Sequence, residues 1–448
     1  MTVEQIYTGC LAEAAYYIKS GKEAAIIDPL RETKPYLDKL KKDGVTLKYI
    51  FETHFHADFV SGHLDLAKKT GAQIVYGPTA KPSFPIYQAK DGEEIKVGNV
   101  NFKILHTPGH TMESTTYPLR DEKGKDHAIF TGDTLFLGDV GRPDLAIKQG
   151  ELTKEDLAGY LFESLREKIM PLADEVIVYP GHGAGSACGK NLSEETVGTL
   201  GNQKKVNYAL RADMTKEEFI KEVTAGLTPP PQYFPKNAIM NKTGYASFDE
   251  VLKKGSQPLN PDAFEVATET VEALVLDTRT AKEFAEGHIP GSIFIGLEGN
   301  FAPWAGALIP DLQHPIAVIA PKGREEEVVT RLSRVGYDNT IGYLKGGLEA
   351  WRKAGKGIET IESITVDALV KKFEKGLDGE ILDTRRPTEF LAQHIKGAIN
   401  FPLDYINNNM HKLRPEKKYY LHCRSGYRSM VAASILKARG FDNLVDVD

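Results

Sequence analysis

"HFHADF", residues 54–59, carries His54, His56 and Asp58 at two-residue spacing and then closes on an apolar side chain, Phe59. It ends the run "LKYIFETH" (47–54), whose apolar and β-branched content reads as a strand. Five comparable runs occur in the first 200 residues: "AAIID" (24–28), "AQIVYG" (72–77), "VNFKILHTPGH" (100–110), "DHAIFTGD" (126–133) and "DEVIVYPGH" (174–182). Three of the six end in His and two in Asp, so the same kinds of ligand recur where a strand meets a loop. "DLAKKTG" (65–71) and "EDLAGYLFESLREKI" (155–169) read as helices by periodicity and stop signals. Strand-rich halves with helices between them predict an αββα sandwich. Residues 203–257 contain "TPPPQYFP" (228–235), whose prolines forbid regular structure, and read as an extension on the sandwich leading to a linker.

A chain of 448 residues suggests two to four domains. Its 41% hydrophobic and 26% charged residues are ordinary for a globular protein. A net charge of −6 gives no footprint for nucleic acid or an anionic membrane, and no apolar run approaches ~20 residues. "MTVEQIYTGC" has no basic and apolar leader, so a cytoplasmic protein is expected. Three cysteines in this length are no disulfide framework and leave room for a working thiolate.

The C-terminal half is a duplication. "LDTRTAKEFAEGHIPGSI" (276–293) returns as "LDTRRPTEFLAQHIKGAI" (382–399), and "VGYDN" (335–339) as "RGFDN" (439–443). A repeat of ~100 residues is domain-sized. Strand runs alternating with helices in each copy imply a parallel sheet. The copies start after "GSQP" (255–258) and "KAGKG" (353–357), which places domains at 1–257, 258–357 and 358–448. Copy one continues "YLKGGLEAW" after "GYDN", whereas copy two stops at Asp448, so its last strand and helix are expected to be missing.

The candidate ligands of the first domain are His54, His56, Asp58, His110 in "TPGHT", Asp133 in "FTGDT" and His182 in "YPGHG". Imidazoles and carboxylates suit zinc, iron or manganese. His63, His106, His127, His314 and His411 are read as ordinary surface or core histidines. At the six candidates the chain resembles the metallo-β-lactamase fold. In its two-metal hydrolases, including glyoxalase II-like thioesterases, the resemblance places one metal on His54, His56 and His110 and a second on Asp58, a His at position 59 and His182, with Asp133 as bridge. Phe59 cannot ligate. The single-metal persulfide dioxygenase branch uses ligands matching His54, His110 and Asp133, a two-histidine, one-carboxylate set with open positions of the non-haem Fe(II) kind. The resemblance therefore implies one Fe(II) per chain, with His56, Asp58 and His182 orienting ligands and water, or serving as extra ligands.

Copy two of the repeat holds "YYLHCRSGYRSMVAASILKARG" (419–440), a strand running into Cys423 and a helix starting near Tyr427 or Arg428. Loop amides, the helix N-terminus, Arg424 and Arg428 all favour a thiolate and cradle an anion bonded to it. A cysteine phosphatase would need Arg after five intervening residues, at 429, which is Ser. The loop, with "ILDTR" and "HIKGAI", resembles the rhodanese sulfurtransferases, which implies Cys423, Arg424 and Arg428 as the catalytic set. Copy one has "VIAPKGREEEV" (318–328), with Ala320 opposite Cys423 and Glu325, Glu326 and Glu327 in place of basic residues, and cannot carry sulfur.

Cys10, in "TGCLAEAAYYI" (8–18), reads as an early strand, and Cys188 lies in "GHGAGSACGK" (181–190) near His182. Buried structural thiols are the default for both. "HADFVSGH", "HGAGSACGK" and "PPPQYFPKNA" resemble the bacterial subfamily that fuses a persulfide dioxygenase to rhodanese repeats, and Cys10 or Cys188 could relay sulfur. The implied activity is oxidation of a small-molecule thiol persulfide by O2 to sulfite, with sulfane sulfur carried on Cys423 and thiosulfate formed, in sulfide detoxification by a homo-oligomer. The alternative is a zinc-dependent glyoxalase II-like thioester hydrolase fused to sulfurtransferase or scaffolding domains.

Overall fold

The computed structural model describes residues 1–146 and 151–448. Met1–Phe248 with Arg334–Gly336 form one compact unit; Asp249–Ser333 with Tyr337–Asp448 form a second.

The first unit is built on two sheets. Strands β1 (Thr2–Thr8), β2 (Glu13–Ser20), β3 (Glu23–Ile27), β4 (Thr46–Phe51), β5 (Gln73–Tyr76) and β6 (Tyr87–Gln88) lie in that order in the first. The second contains β7 (Glu94–Val97), β8 (Val100–Lys103), β9 (Leu105–His106), β10 (Thr115–Arg120), β11 (Asp126–Gly132), β12 (Ile177–Pro180) and β13 (Gly198–Thr199), in the order β13-β12-β11-β10-β8-β7 with β9 on β10. Strand alternation sorts the core. Ala14, Tyr16 and Ile18 of β2 pack with Phe51, Phe102, Tyr117 and Phe130 between the sheets. Ala15 and Tyr17 point the other way, onto Tyr36, Leu40 and Leu66 of the helices Lys34–Asp43 and His63–Thr70. On the second sheet, Ile129 and Val178 meet Leu161 and Phe219 from the helices Lys154–Ser164 and Lys216–Thr224. This is an αββα sandwich buried on both faces of both sheets.

Two local expectations are corrected. Residues 203–257 are largely helical, with Lys216–Thr224, Phe234–Thr243 and Phe248–Gly255, the last in the expected linker. Pro235 falls in the first turn of its helix, where an N–H is unpaired anyway and proline is tolerated. Cys10 lies in the tight turn joining β1 to β2, not in a strand, with Leu11 N bonded to Thr8 O and Ala12 at φ 53°.

The second unit holds two parallel sheets of matching topology. The first runs β14 (Pro258–Leu259), β18 (Thr340–Leu344), β17 (Ile316–Ile319), β15 (Leu274–Asp277), β16 (Ile293–Phe294); the second runs β19 (Glu362–Ile364), β23 (Leu444–Val447), β22 (Tyr419–His422), β20 (Glu380–Asp383), β21 (Ile399–Asn400). The strand expected to be missing from copy two is therefore present as β23, paired with β22 and β19. The repeated "LDTR" has a structural reason. Arg279 clamps Asp277 and donates to Gly287 O (2.9 Å); Arg385 does the same with Asp383 and Gln393 O (2.7 Å). Among the described residues no helix is long and apolar enough to cross a membrane.

Candidate metal centre and thiol loop

Loops at the ends of β4, β9, β11 and β12 bring His54, His110, Asp133 and His182 together, all 1–2% exposed. His54, His110 and Asp133 form one group whose donor atoms all lie within 4.8 Å of one another. His110 Nε2 is 3.4 Å and His54 Nε2 3.9 Å from Asp133 Oδ2. That oxygen is buried and receives no hydrogen bond, so the three donors converge on a point that fits a cation.

Neighbouring groups set the tautomers. Thr53 Oγ1 donates to Asp28 Oδ2 (2.8 Å) and so accepts from His54 Nδ1 (2.9 Å). His110 Nδ1 donates to Arg142 O (2.9 Å). Both Nε2 lone pairs are left for a metal. Arg142 is itself fixed by Asp144 through bonds of 2.6 and 2.7 Å. His182 stands between two carboxylates, Nδ1 2.8 Å from Asp133 Oδ1 and Nε2 2.7 Å from Asp58 Oδ2. The backbone is correspondingly tight: a Cβ on Gly141 would lie 2.0 Å from Asp133 O and 2.9 Å from His110 Nδ1.

Electrostatics follow from the burial. Burial, and next the neighbouring His56, push His54 well below the usual imidazole range, which keeps it a neutral ligand. For Asp133 burial acts upward, but the imidazoles of His182, His110 and His54 outweigh it and hold the carboxyl well below its ordinary value. For His182 burial acts downward, and Asp133 and Asp58 outweigh it.

His56 is the candidate placed apart. Its ring groups with Asp28 and Glu52 instead of the other imidazoles. Phe59 is fully buried with its ring 4.3 Å from that of His56. Asp58 and His182 form a third group with Cys188, a buried thiol pushed up first by desolvation and then by Asp58. Cys10, half-buried, belongs to none of these groups.

Sequence reasoning missed Asp28, Glu52, Thr53, Glu13 and Asn241. Asp28 had a signal, a carboxylate closing a strand run like Asp133. Asn241 had none: from a helix 185 residues beyond His56 it donates to the backbone oxygens of His56 and Phe59 (2.7 Å each) and accepts from Ser61 N (2.9 Å). Glu13 pairs with His182 through the backbone, and burial raises its carboxyl strongly. His63, read as ordinary, is fully buried 3.6 Å from Glu52 Oε1 with no hydrogen bond on either ring nitrogen, and burial lowers it to about 3.

In the second unit Cys423 follows β22 and precedes the helix Tyr427–Ala438, with Gly426 at φ 72° as its N-cap. The thiol is half-buried and accepts from Ser429 Oγ at 3.7 Å. Arg424 is exposed. Arg428, expected to add free positive charge, instead forms a fork with Glu389 at 2.7 and 2.9 Å. Its charge is largely balanced there. Ala320 follows β17 in copy one, and Glu325, Glu326 and Glu327 open the helix Glu325–Arg334.

Residues 8–182 match the metallo-beta-lactamase superfamily, and residues 260–354 and 365–448 each match the rhodanese-like domain. The hydroxyacylglutathione hydrolase GloC of Haemophilus influenzae is 31% identical over 191 residues, 38% of this chain and 84% of the relative. The mitochondrial persulfide dioxygenase ETHE1 of Homo sapiens is 30% identical over 216 residues, 48% of this chain and 76% of the relative. These identities do not separate hydrolase from dioxygenase. A solved metallo-beta-lactamase structure from Staphylococcus aureus subsp. aureus COL superposes with a TM-score of 0.67 at 32% identity, over 77% of this chain and 98% of its own.

Proposed function

We propose that this chain, which belongs to the metallo-β-lactamase superfamily and carries two rhodanese-like domains, oxidises a small-molecule persulfide with O2 and transfers sulfane sulfur through Cys423. The observation that carries the reading is the three-donor group His54, His110 and Asp133, with His56 directed elsewhere and Phe59 at the second-metal position. This donor set suits one Fe(II) per chain, and bound iron would supply the redox chemistry between persulfide and O2. The balanced reaction is RSSH + O2 + H2O giving RSH, sulfite and two protons.

The chain's own groups prepare the site. Thr53 and the Arg142 carbonyl hold the two imidazoles in the Nε2-ligating tautomer. His182 occupies Asp133 Oδ1, leaving Oδ2 for the ion. In the rhodanese loop, the Cys423 thiolate attacks the outer sulfur of a persulfide and expels the thiol. Sulfite then attacks that sulfur, forming thiosulfate and restoring Cys423. Arg424 is placed to attract the anion. Oxygen uptake with a panel of persulfides, measured beside iron content, tests the reading. No uptake from protein holding one iron per chain would sink it.

A second reading has its own support. Asp58, His182 and Cys188 still converge despite Phe59, and GloC is a hydrolase by name. Two zinc ions per chain with thioester hydrolysis would favour that alternative.

A further inference from the structure

This inference rests on the reading of Cys423 as a sulfur carrier and concerns what lies behind its thiol. Ser429 follows Cys423 by six residues, in the first turn of the helix Tyr427–Ala438. It is fully buried, and its Oγ meets Cys423 Sγ at 3.7 Å and Gly426 O at 3.1 Å. Arg428 is held by Glu389 and Arg424 is exposed. Among the described residues, the Ser429 hydroxyl is thus the side-chain donor that bonds the sulfur.

Behind Ser429 lies a carboxyl. Asp446 of β23 pairs with Leu421 of β22 and with Ser363 of β19. Val445 and Val447 on either side of it join the core of Leu369 and Tyr420. Strand alternation therefore sends Asp446 to the opposite layer, under the helix. It is 2% exposed. The Ser429 and Ser363 hydroxyls bond the carboxyl, and the charged group facing it is Asp448, just past its own strand. Oδ1 is buried without a hydrogen bond. A buried carboxylate is costly, so burial raises this one to about 7. The arrangement is confined to the copy that has the cysteine. In copy one the residue six after Ala320 is the exposed Glu326, and the strand partner of Val318, two before Ala320, is Tyr343. Buried serine and buried carboxyl thus occur with the thiol and are missing where the thiol is missing.

We infer that Asp446 is a positioning residue for the Cys423 nucleophile and acts through Ser429, whose hydroxyl bridges the carboxyl and the sulfur. A hydroxyl has one hydrogen to donate and lone pairs to accept with. Beside a neutral carboxyl it accepts from the acid and gives its hydrogen to the thiolate. Beside a carboxylate it turns that hydrogen away, and the sulfur is left near a second negative charge. Thiol and carboxyl therefore titrate as a coupled pair, and the thiolate is best supported while Asp446 keeps its proton. The other ionisable groups at the loop do not imitate this. Arg428 stays charged throughout the neutral range, and burial lowers His422.

The test is the pH profile of Cys423 alkylation by iodoacetamide in the full-length protein, read at the Cys423 peptide by mass spectrometry. The wild-type rate should rise in two steps, one of them near neutral pH. Asp446→Asn should show a single step, moved down by about one pH unit, the scale of one hydrogen bond to a charged group. Ser429→Ala should move the thiol up by about one unit and lose about tenfold in sulfur transfer, while Ser429→Thr keeps both near the wild type. In the Ser429→Ala background the shift caused by Asp446→Asn should shrink by about half or more. A wild-type profile that superposes on that of Asp446→Asn overturns the inference. So does an equal Asp446→Asn shift with and without Ser429, which would make the carboxyl a distant charge only. If Ser429→Ala does not fold, the Asp446→Asn profile decides by itself. Alkylation needs no persulfide, so absence of sulfur transfer in wild-type protein would sink the functional reading while leaving the profile to stand or fall on its own.

Discussion

A single atom carries much of the metal argument. Asp133 Oδ2 is buried, unbonded and faced by two Nε2 atoms, while its sister oxygen is occupied by His182. Asp133→Ala should therefore remove iron and oxygen uptake together; elemental analysis showing normal iron would refute the assignment. Phe59→His restores a donor type next to Asp58 in the chain, and should admit a second metal without improving persulfide oxidation. A wild-type protein already holding two metals would contradict this. Asp446, on β23, illustrates the opposite use of a buried carboxyl. It is 2% exposed, and burial raises it to about 7. Its unfolded value is near ~3.9, so between those values the folded chain holds a proton that the unfolded chain releases. Stability from this residue is thus full below pH ~4 and lost as pH rises toward 7. Asp446→Asn should stabilise the C-terminal unit at pH 8 by on the order of a few kcal/mol, with the difference closing near pH 4. Denaturant unfolding at the two pH values checks it, and a pH-independent difference would count against it.

At the scale of elements, the Cys423 loop leans on the copy that has no cysteine at the matching position. Tyr427 opens the helix behind Cys423, donates to Gly296 O of copy one (2.8 Å) and packs its ring 5.8 Å from Phe294. Ser434 on the same helix accepts from Phe294 N (2.9 Å). Copy one thus braces the helix whose N-terminus faces the thiol. Tyr427→Ala should slow sulfur transfer on the order of tenfold or more through misplacement of the loop, while leaving metal content and oxygen uptake alone; unchanged transfer rates would show that the brace is irrelevant. Most of this architecture was legible. Strand runs closed by His or Asp announced the sandwich edge, and "LDTR" announced the duplication, because a clamp that needs both Asp and Arg repeats as sequence. What stayed hidden has physical reasons. β23 was missed because only five residues, 444–448, follow the repeated "GFDN", and so short a run gives a weak strand signal. The helix Phe234–Thr243 was missed because a proline inside a first turn looks like a proline that breaks one. The grouping of His56 with Glu52 depends on side-chain direction, which spacing alone does not specify.

On the scale of the whole molecule, the proposed reading puts two chemistries on one chain, with sulfur carried by one rhodanese-like copy alone. Ala320 stands where Cys423 stands in the other copy, and among the described residues the metal group contains no residue of the second unit. The two activities should therefore separate by mutation yet couple through product. In the proposed reaction oxidation yields sulfite and transfer consumes it. Cys423→Ser should keep oxygen uptake with a persulfide while the sulfur product shifts from thiosulfate to sulfite. Arg428→Lys should weaken transfer as well, and the structure gives the reason: the guanidinium makes two parallel bonds to Glu389 at 2.7 and 2.9 Å, and lysine cannot reproduce that fork. Glu389 is held down to about 2 first by that bond, so the pair persists across the neutral range and dissolves only in strong acid. Product analysis in single-turnover and steady-state oxidation is the measurement. An undiminished thiosulfate yield from Cys423→Ser would move the transfer elsewhere, to Cys188 beside Asp58 and His182, to Cys10 in its turn, or to sulfite reacting with persulfide in solution; the double variant with Cys188→Ser would then separate the protein routes from the solution one.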